Sequence, residues 1–208
     1  MINNKEVLNR SHWVFDMDGT LTVAVHNFNE IREKLGLEPG LPIIKTLDSM
    51  NPEEAFPLRK RLQEIEIELA RKAKPAEGLQ DLLSILKNKG CELGIVTLNT
   101  KENAWITLEV LEIDGFFNEF FVMGRSCTAP KPSPESINKM IQEWNTDGED
   151  TLVIGDFLYD LQMGRNAGTA TVHVDPSSQF QWPEMADFQC SSLKELQPDF
   201  HKYSKDKS

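Results

Sequence analysis

The sequence predicts an α/β fold, a doubly wound parallel sheet carrying a small all-helical insert after its first strand. Three observations lead there. Short apolar runs alternate with longer segments whose apolar residues recur at helical spacing, which implies crossover units and parallel pairing. The right-handed crossover rule then places helices on both faces of one sheet. One early stretch, residues 23–74, carries helical periodicity alone and no strand pattern.

His12 to Phe15 reads as the first strand, because aromatic residues and valine fit a pleated, buried surface. It runs into Asp16-Met17-Asp18-Gly19-Thr20, and a polar loop follows from Thr22. From about Asn27 to Lys74 the pattern is helical: Phe28, Ile31 and Leu35 share one face. A second short helix spans Leu41 to Met50. Asn51-Pro52-Glu53-Glu54 then has the form of a helix start, with a capping side chain, a first-turn proline and acidic residues near the positive end of the dipole. The helix it opens is expected to reach Ala73, with Pro57 disturbing its first turns. Arg59, Arg61, Glu64 and Glu66 alternate in sign within it, the pattern of a solvated face.

Pro75 ends this block and the rhythm changes. Leu79, Leu82, Leu83 and Leu86 form one helical stripe stopped by Gly90, and Leu93 to Val96 is a buried strand ending at Thr97. Lys101 to Leu111 is helical, Glu119 to Met123 strand-like, and Ser133-Pro134 opens a helix to Trp144. Thr151 to Ile154 is a strand, Asp160 to Ala167 a helix, Ala170 to Val174 a strand, and Ser192 to Leu196 a last short helix. Trp105 and Trp144 fall on helical stripes and are expected in the core. Residues 1–22 and 75–208 are therefore expected to form the α/β core, and residues 23–74 the insert.

Composition narrows the partners. The net charge is −11, with acidic residues spread along all 208 positions, so a nucleic-acid backbone would be repelled. The three cysteines lie far apart and no Cys/His spacing suits zinc. No apolar run approaches the roughly 18 residues of a membrane helix, and Met1 to Trp13 lacks the apolar core of a signal peptide. The expectation is a cytoplasmic protein without nucleic-acid or membrane partners, either monomer or homodimer.

Ligand chemistry in open α/β sheets gathers at the carboxyl ends of the strands. Four such ends carry polar groups here: Asp16 with Asp18, Thr97, Lys131, and Asp156 with Asp160. Gathered at one rim, these four carboxylates and one ammonium leave an excess of negative charge. Two like charges about 4 Å apart repel by roughly 4 kcal/mol at an effective dielectric near 20. A divalent cation relieves that repulsion, and hard oxygen donors without histidine or thiolate favour Mg²⁺.

These motifs resemble those of the haloacid dehalogenase superfamily. Asp16-Met17-Asp18-Gly19-Thr20 is similar to its first motif, Thr97 after Ile95-Val96 to its second, Lys131-Pro132 to its third, and Gly155-Asp156-Phe157-Leu158-Tyr159-Asp160 to its fourth. The insert resembles the small helical cap of the phosphoglycolate phosphatase-like branch, set on a Rossmann-like core. The resemblance implies an Mg²⁺-dependent phosphatase that hydrolyses a small phosphorylated metabolite through an aspartyl-phosphate. Asp16 would be the nucleophile and Asp18 the general acid, then base. Asp16, the backbone carbonyl of Asp18, and Asp156 would hold the metal. Lys131 would neutralise developing charge and hold the nucleophile, and Asp160 would act from behind the metal ligands, through water or Lys131. Gly19 would let the backbone approach the phosphate, and Thr97, Leu98 and Asn99 would bind substrate; the position of Leu98 is often asparagine in that branch. His26, Asn27 and Arg32 are candidate specificity residues in the cap. A sugar phosphomutase shares these motifs, and a silent phosphometabolite-binding protein is the rival from another class. A dehalogenase has no need of Asp18, and no cap lysine is assignable for a phosphonatase.

Overall fold

The computed structural model describes residues 4–24 and 28–197. Six strands form one sheet: β1 (His12–Phe15), β2 (Glu92–Val96), β3 (Val122–Met123), β4 (Thr151–Gly155), β5 (Ala170–Val174) and β6 (Phe188–Cys190). Their order is β3-β2-β1-β4-β5-β6, and every neighbouring pair is parallel. The helices are α1 (Asn4–Val7), α2 (Phe28–Leu35), α3 (Ile43–Ser49), α4 (Pro52–Ala70), α5 (Leu79–Asn88), α6 (Lys101–Val110), α7 (Glu135–Trp144) and α8 (Leu158–Asn166).

Alternation along β1 separates the two faces. Trp13 and Phe15 join a large cluster with Leu82, Leu86 and Leu108 of α5 and α6, whereas Val14 packs with Ile137, Met140 and Met163 of α7 and α8. Both faces are covered, which is why the inner strands read as continuous apolar runs. All four leucines of the α5 stripe are buried. Gly90, at φ +75°, ends that helix by letting Cys91 N–H turn back to the Leu86 carbonyl at 3.0 Å.

The segment between β1 and α5 has a core of its own, in which Ile31, Leu35, Leu47, Leu62 and Ile65 of α2, α3 and α4 pack together. Its two ends are tied side by side. Val23 N–H donates to the Lys74 carbonyl and Ala76 N–H to the Leu21 carbonyl, both at 2.9 Å, flanking the Thr22–Pro75 bridge. Asn51 caps α4 by accepting from Glu53 N–H at 3.0 Å. Pro57 lies inside α4 without ending it; the carbonyl that loses its partner belongs to Glu53, in the exposed first turn. The helix stops at Ala70, short of the expected Ala73.

Elsewhere the differences are local. Glu119–Phe121 is a 3-10 turn capped by Asn118, whose side chain accepts from Phe120 N–H, and only Val122–Met123 is extended. Leu193–Leu196 is likewise a 3-10 turn. β6 is too short for any periodicity to appear in sequence, and pairing with β5 creates it. α8 starts at Leu158, two residues before the expected Asp160. Trp105 and Trp144 pack against the two core clusters.

Candidate active site

From β1 the chain moves outward to β2 and β3, then returns to place β4 on the other side of β1. The strand order reverses at that point, opening a crevice beyond the carboxyl ends of β1 and β4. Phe15 is level with Ile154, and Asp16 N–H donates to the Ile154 carbonyl at 2.8 Å, so Asp16 and Asp156 emerge next to each other. Thr97 follows β2 directly and is held in line by its own N–H, which donates to the Met123 carbonyl at 2.9 Å. Lys131 arrives from the loop between β3 and α7, and Asp160 lies in the first turn of α8.

The Lys131 ammonium joins these pieces. It donates to Asp16 Oδ1 at 2.5 Å and to Asp160 Oδ1 at 2.6 Å, with all three side chains at most a tenth exposed. The other oxygen of Asp160 accepts from Phe157 N–H at 3.1 Å. Asp16, Asp156 and Asp160 each bring one carboxylate oxygen within 4.8 Å of the others. Two glycines make this approach feasible. A Cβ on Gly19, whose φ is +89°, would stand 2.3 Å from Asp156 Oδ2, and one on Gly155 would stand 2.2 Å from the Asp160 Cβ.

Asp18 is oriented separately. Asn99 Nδ2 donates to its Oδ2 at 2.5 Å, while Asn99 N–H donates to Thr97 Oγ1 at 3.1 Å. Asn99 is therefore inside the site, whereas the Leu98 side chain is 46% exposed and has no polar atom. Only the Leu98 backbone could serve the substrate-binding role expected there. Arg32 is engaged within the insert, donating to the Leu41 carbonyl and to Asn29. His26 and Asn27 lie outside the described residues.

The electrostatics express crowding. Burial, and then its carboxylate neighbours Asp16 and Asp160, push Asp156 up to about 8. Burial raises Asp160 and Asp18 to about 6 against the pull of Lys131, with Glu66 adding to the rise at Asp18. Asp16 is raised above the ordinary carboxylate value, chiefly by burial. Burial works against the Lys131 charge, but Asp16 and Asp160 outweigh it and hold the ammonium above its usual pKa. Hard carboxylate oxygens that one ammonium does not neutralise fit a divalent, oxygen-preferring cation.

Glu66 and Arg125 were not foreseen as site residues. The charge alternation along α4 put Glu66 on a solvated face; instead its side chain is 10% exposed and pairs with Arg125. The available signal was its i,i+4 relation to Leu62 and Ala70, both buried. Among the described residues, no helix is long and apolar enough to cross a membrane.

The family model described as haloacid dehalogenase-like hydrolase matches residues 13–174. A haloacid dehalogenase-like hydrolase domain-containing protein from Arabidopsis thaliana is 28% identical over 204 residues, covering 90% of this chain and 77% of that one. A phosphoglycolate phosphatase from Aquifex aeolicus is 26% identical over 185 residues, covering 76% and 81%. The crystal structure of a haloacid dehalogenase-like hydrolase from Bacteroides fragilis superposes with a TM-score of 0.73 at 20% identity, over 91% of this chain and all of that one. With the family match spanning both β1 and β5, where the strand-end carboxylates and the lysine converge, the chain belongs to the haloacid dehalogenase-like hydrolases.

Proposed function

We propose that this hydrolase is an Mg²⁺-dependent phosphatase that cleaves a small phosphorylated metabolite through an aspartyl-phosphate on Asp16. The observation that carries this reading is the buried Lys131 ammonium between Asp16 and Asp160, with Asp156 alongside and Asp18 held by Asn99. The Asp16 carboxylate attacks phosphorus while the ester P–O bond breaks, and Asp18 delivers its proton to the departing alkoxide. Asp18 then removes a proton from water. That water attacks the phosphorus of the acyl phosphate, releasing inorganic phosphate and restoring Asp16. The tendency of Asp18 to stay protonated up to about pH 6 suits the first half of this cycle.

Thr97 accepts from Asn99 N–H, which leaves its own hydroxyl proton available for a phosphoryl oxygen. Lys131 offsets charge on Asp16 and the phosphoryl group, and Asp160 keeps Lys131 in place. Asp16, Asp156 and the backbone carbonyl of Asp18 would hold Mg²⁺, which when bound supplies positive charge toward the phosphoryl oxygens. Residues 23–74 act as a cap that excludes water over the site, on a core of residues 1–22 and 75–208. The phosphoglycolate phosphatase relative makes phosphoglycolate the first substrate to assay. This reading needs neither nucleic acid nor membrane and suits the cytoplasm.

The test is p-nitrophenyl phosphate hydrolysis with and without Mg²⁺. Metal-dependent turnover that disappears in Asp16→Asn is expected; turnover that survives in Asp16→Asn removes the nucleophile assignment. Conversion of a sugar phosphate into its isomer, with no phosphate released, would replace the phosphatase with a mutase.

A further inference from the structure

Helix α4 turns Glu66 toward the core, and three contacts meet at its carboxylate. Arg125, in the loop after β3, donates from Nη1 to Oε1 at 2.7 Å and from Nη2 to Oε2 at 3.1 Å. Asn103 of α6 donates from Nδ2 to Oε2 at 3.2 Å. The pair is largely out of water, with side-chain exposures of 10% for Glu66 and 23% for Arg125. Asn103 Oδ1 is buried with no hydrogen-bond partner among the described residues, so this arrangement is not fully satisfied.

The ion pair stands between two cavities. On one side Glu66 lines a space of about 10 Å³ together with Asp18, Thr22 and Asn99. On the other, Arg125 lines a cavity of about 530 Å³ with Lys60, Arg59, Ile44, Leu62 and Phe56. The inner space holds about one water, so Glu66 closes the side of Asp18 that faces α4. The outer one has the volume of a small-molecule site. Of its three cations, Arg59 is paired with Asp48 at 2.5 Å and Arg125 with Glu66.

We infer that Arg125 is a specificity-determining residue that receives a second anionic group of the substrate, displacing the Glu66 carboxylate that occupies it in this structure. The inference rests on the phosphatase reading above. A guanidinium fork accommodates any carboxylate or phosphate in the same two-point geometry. If Glu66 withdraws without a replacement, a partly buried cation is stranded, which is costly. A phosphate ester that also carries a carboxylate or second phosphate provides the replacement, and one that carries only a hydroxyl does not.

Matched substrates test this: 2-phosphoglycolate against 2-hydroxyethyl phosphate, and 3-phosphoglycerate against glycerol 3-phosphate. In each pair a carboxylate replaces a hydroxymethyl group. Wild-type kcat/KM should favour the carboxylated member by roughly tenfold or more in at least one pair. Arg125→Gln should bring that ratio toward one through a raised KM for the carboxylated member, and Arg125→Lys should restore part of it. Glu66→Gln, which keeps the shape but weakens the competitor, should lower KM for the carboxylated member. A merely structural Arg125 would lower kcat/KM for both members alike. A wild-type ratio near one in both pairs, or a ratio unchanged in Arg125→Gln, overturns the inference. If Arg125→Gln does not fold, Glu66→Gln decides, and an unchanged KM for the carboxylated member overturns it. Wild-type enzyme that leaves p-nitrophenyl phosphate intact sinks the phosphatase reading first, a result distinct from active enzyme without substrate discrimination.

Discussion

At the scale of single residues the site is a problem of charge held in little space. Asp16, Asp156 and Asp160 all have raised pKa values, burial being the largest cause at each. In the unfolded chain these carboxyls release their protons near pH 3.8, whereas burial and its carboxylate neighbours push Asp156 up to about 8 in the folded protein. The folded state thus binds more protons across that window. The contribution of these carboxyls to stability, fully present below about pH 4, is lost as pH rises toward 8 when no metal is bound. A divalent cation held by these carboxylates would take the place of those protons. Adding Mg²⁺ should therefore raise the melting temperature more at pH 8 than at pH 5, as read by calorimetry. Equal shifts at the two pH values would contradict the linkage.

Gly19 is the second residue-scale test. A methyl there collides with Asp156 in a backbone conformation that side chains rarely adopt. Gly19→Ala should cost at least tenfold in phosphatase kcat and weaken the Mg²⁺-induced rise in melting temperature. A fully active variant would show that the close approach of Asp156 to this loop is dispensable.

Secondary-structure elements show where local chemistry sufficed. The Asn51 cap and the proline after it start α4 where composition says they should, and the side-chain bond to Glu53 N–H is present. Asn51→Ala should destabilise the protein by about 1 kcal/mol in urea unfolding. In α5 the stripe of buried leucines was fully legible. Legibility failed where the period is too short to register. Two-residue β3 and three-residue β6 depend on partners distant in sequence, and the Asn118 side chain converts the expected first part of β3 into a 3-10 turn. Glu66 failed for a different reason. Its charge argued for solvent, yet its helix position argued for the interior, and Arg125 with Asn103 supplied the compensation that an inward carboxylate requires.

For the molecule as a whole, the buried apolar residues divide between the two faces of the sheet and the segment between β1 and α5. The sheet's clusters and the cluster inside residues 23–74 share no members, while the hydrogen bonds beside Thr22 and Pro75 join the two parts. Leu47, buried in the smaller cluster, offers a test. Leu47→Ala should reduce hydrogen-exchange protection in α2, α3 and α4 while β1 and β4 stay protected. Loss of protection throughout would mean that the insert and the sheet open together.

The sequence by itself determined the alternation of strands and helices, the early run of helices α2 to α4, and the positions of Asp16, Thr97 and Asp156 directly beyond β1, β2 and β4. Those follow from periodicity and from residue chemistry read over short windows. Only the tertiary structure decided that Asn99 rather than Leu98 turns its side chain toward Asp18, that Asp160 grips Lys131, and that Glu66 leaves the solvated face to meet Arg125. Each of those outcomes depends on groups 29 to 81 positions apart in the chain, and a partner that distant is chosen by packing, which no local pattern encodes.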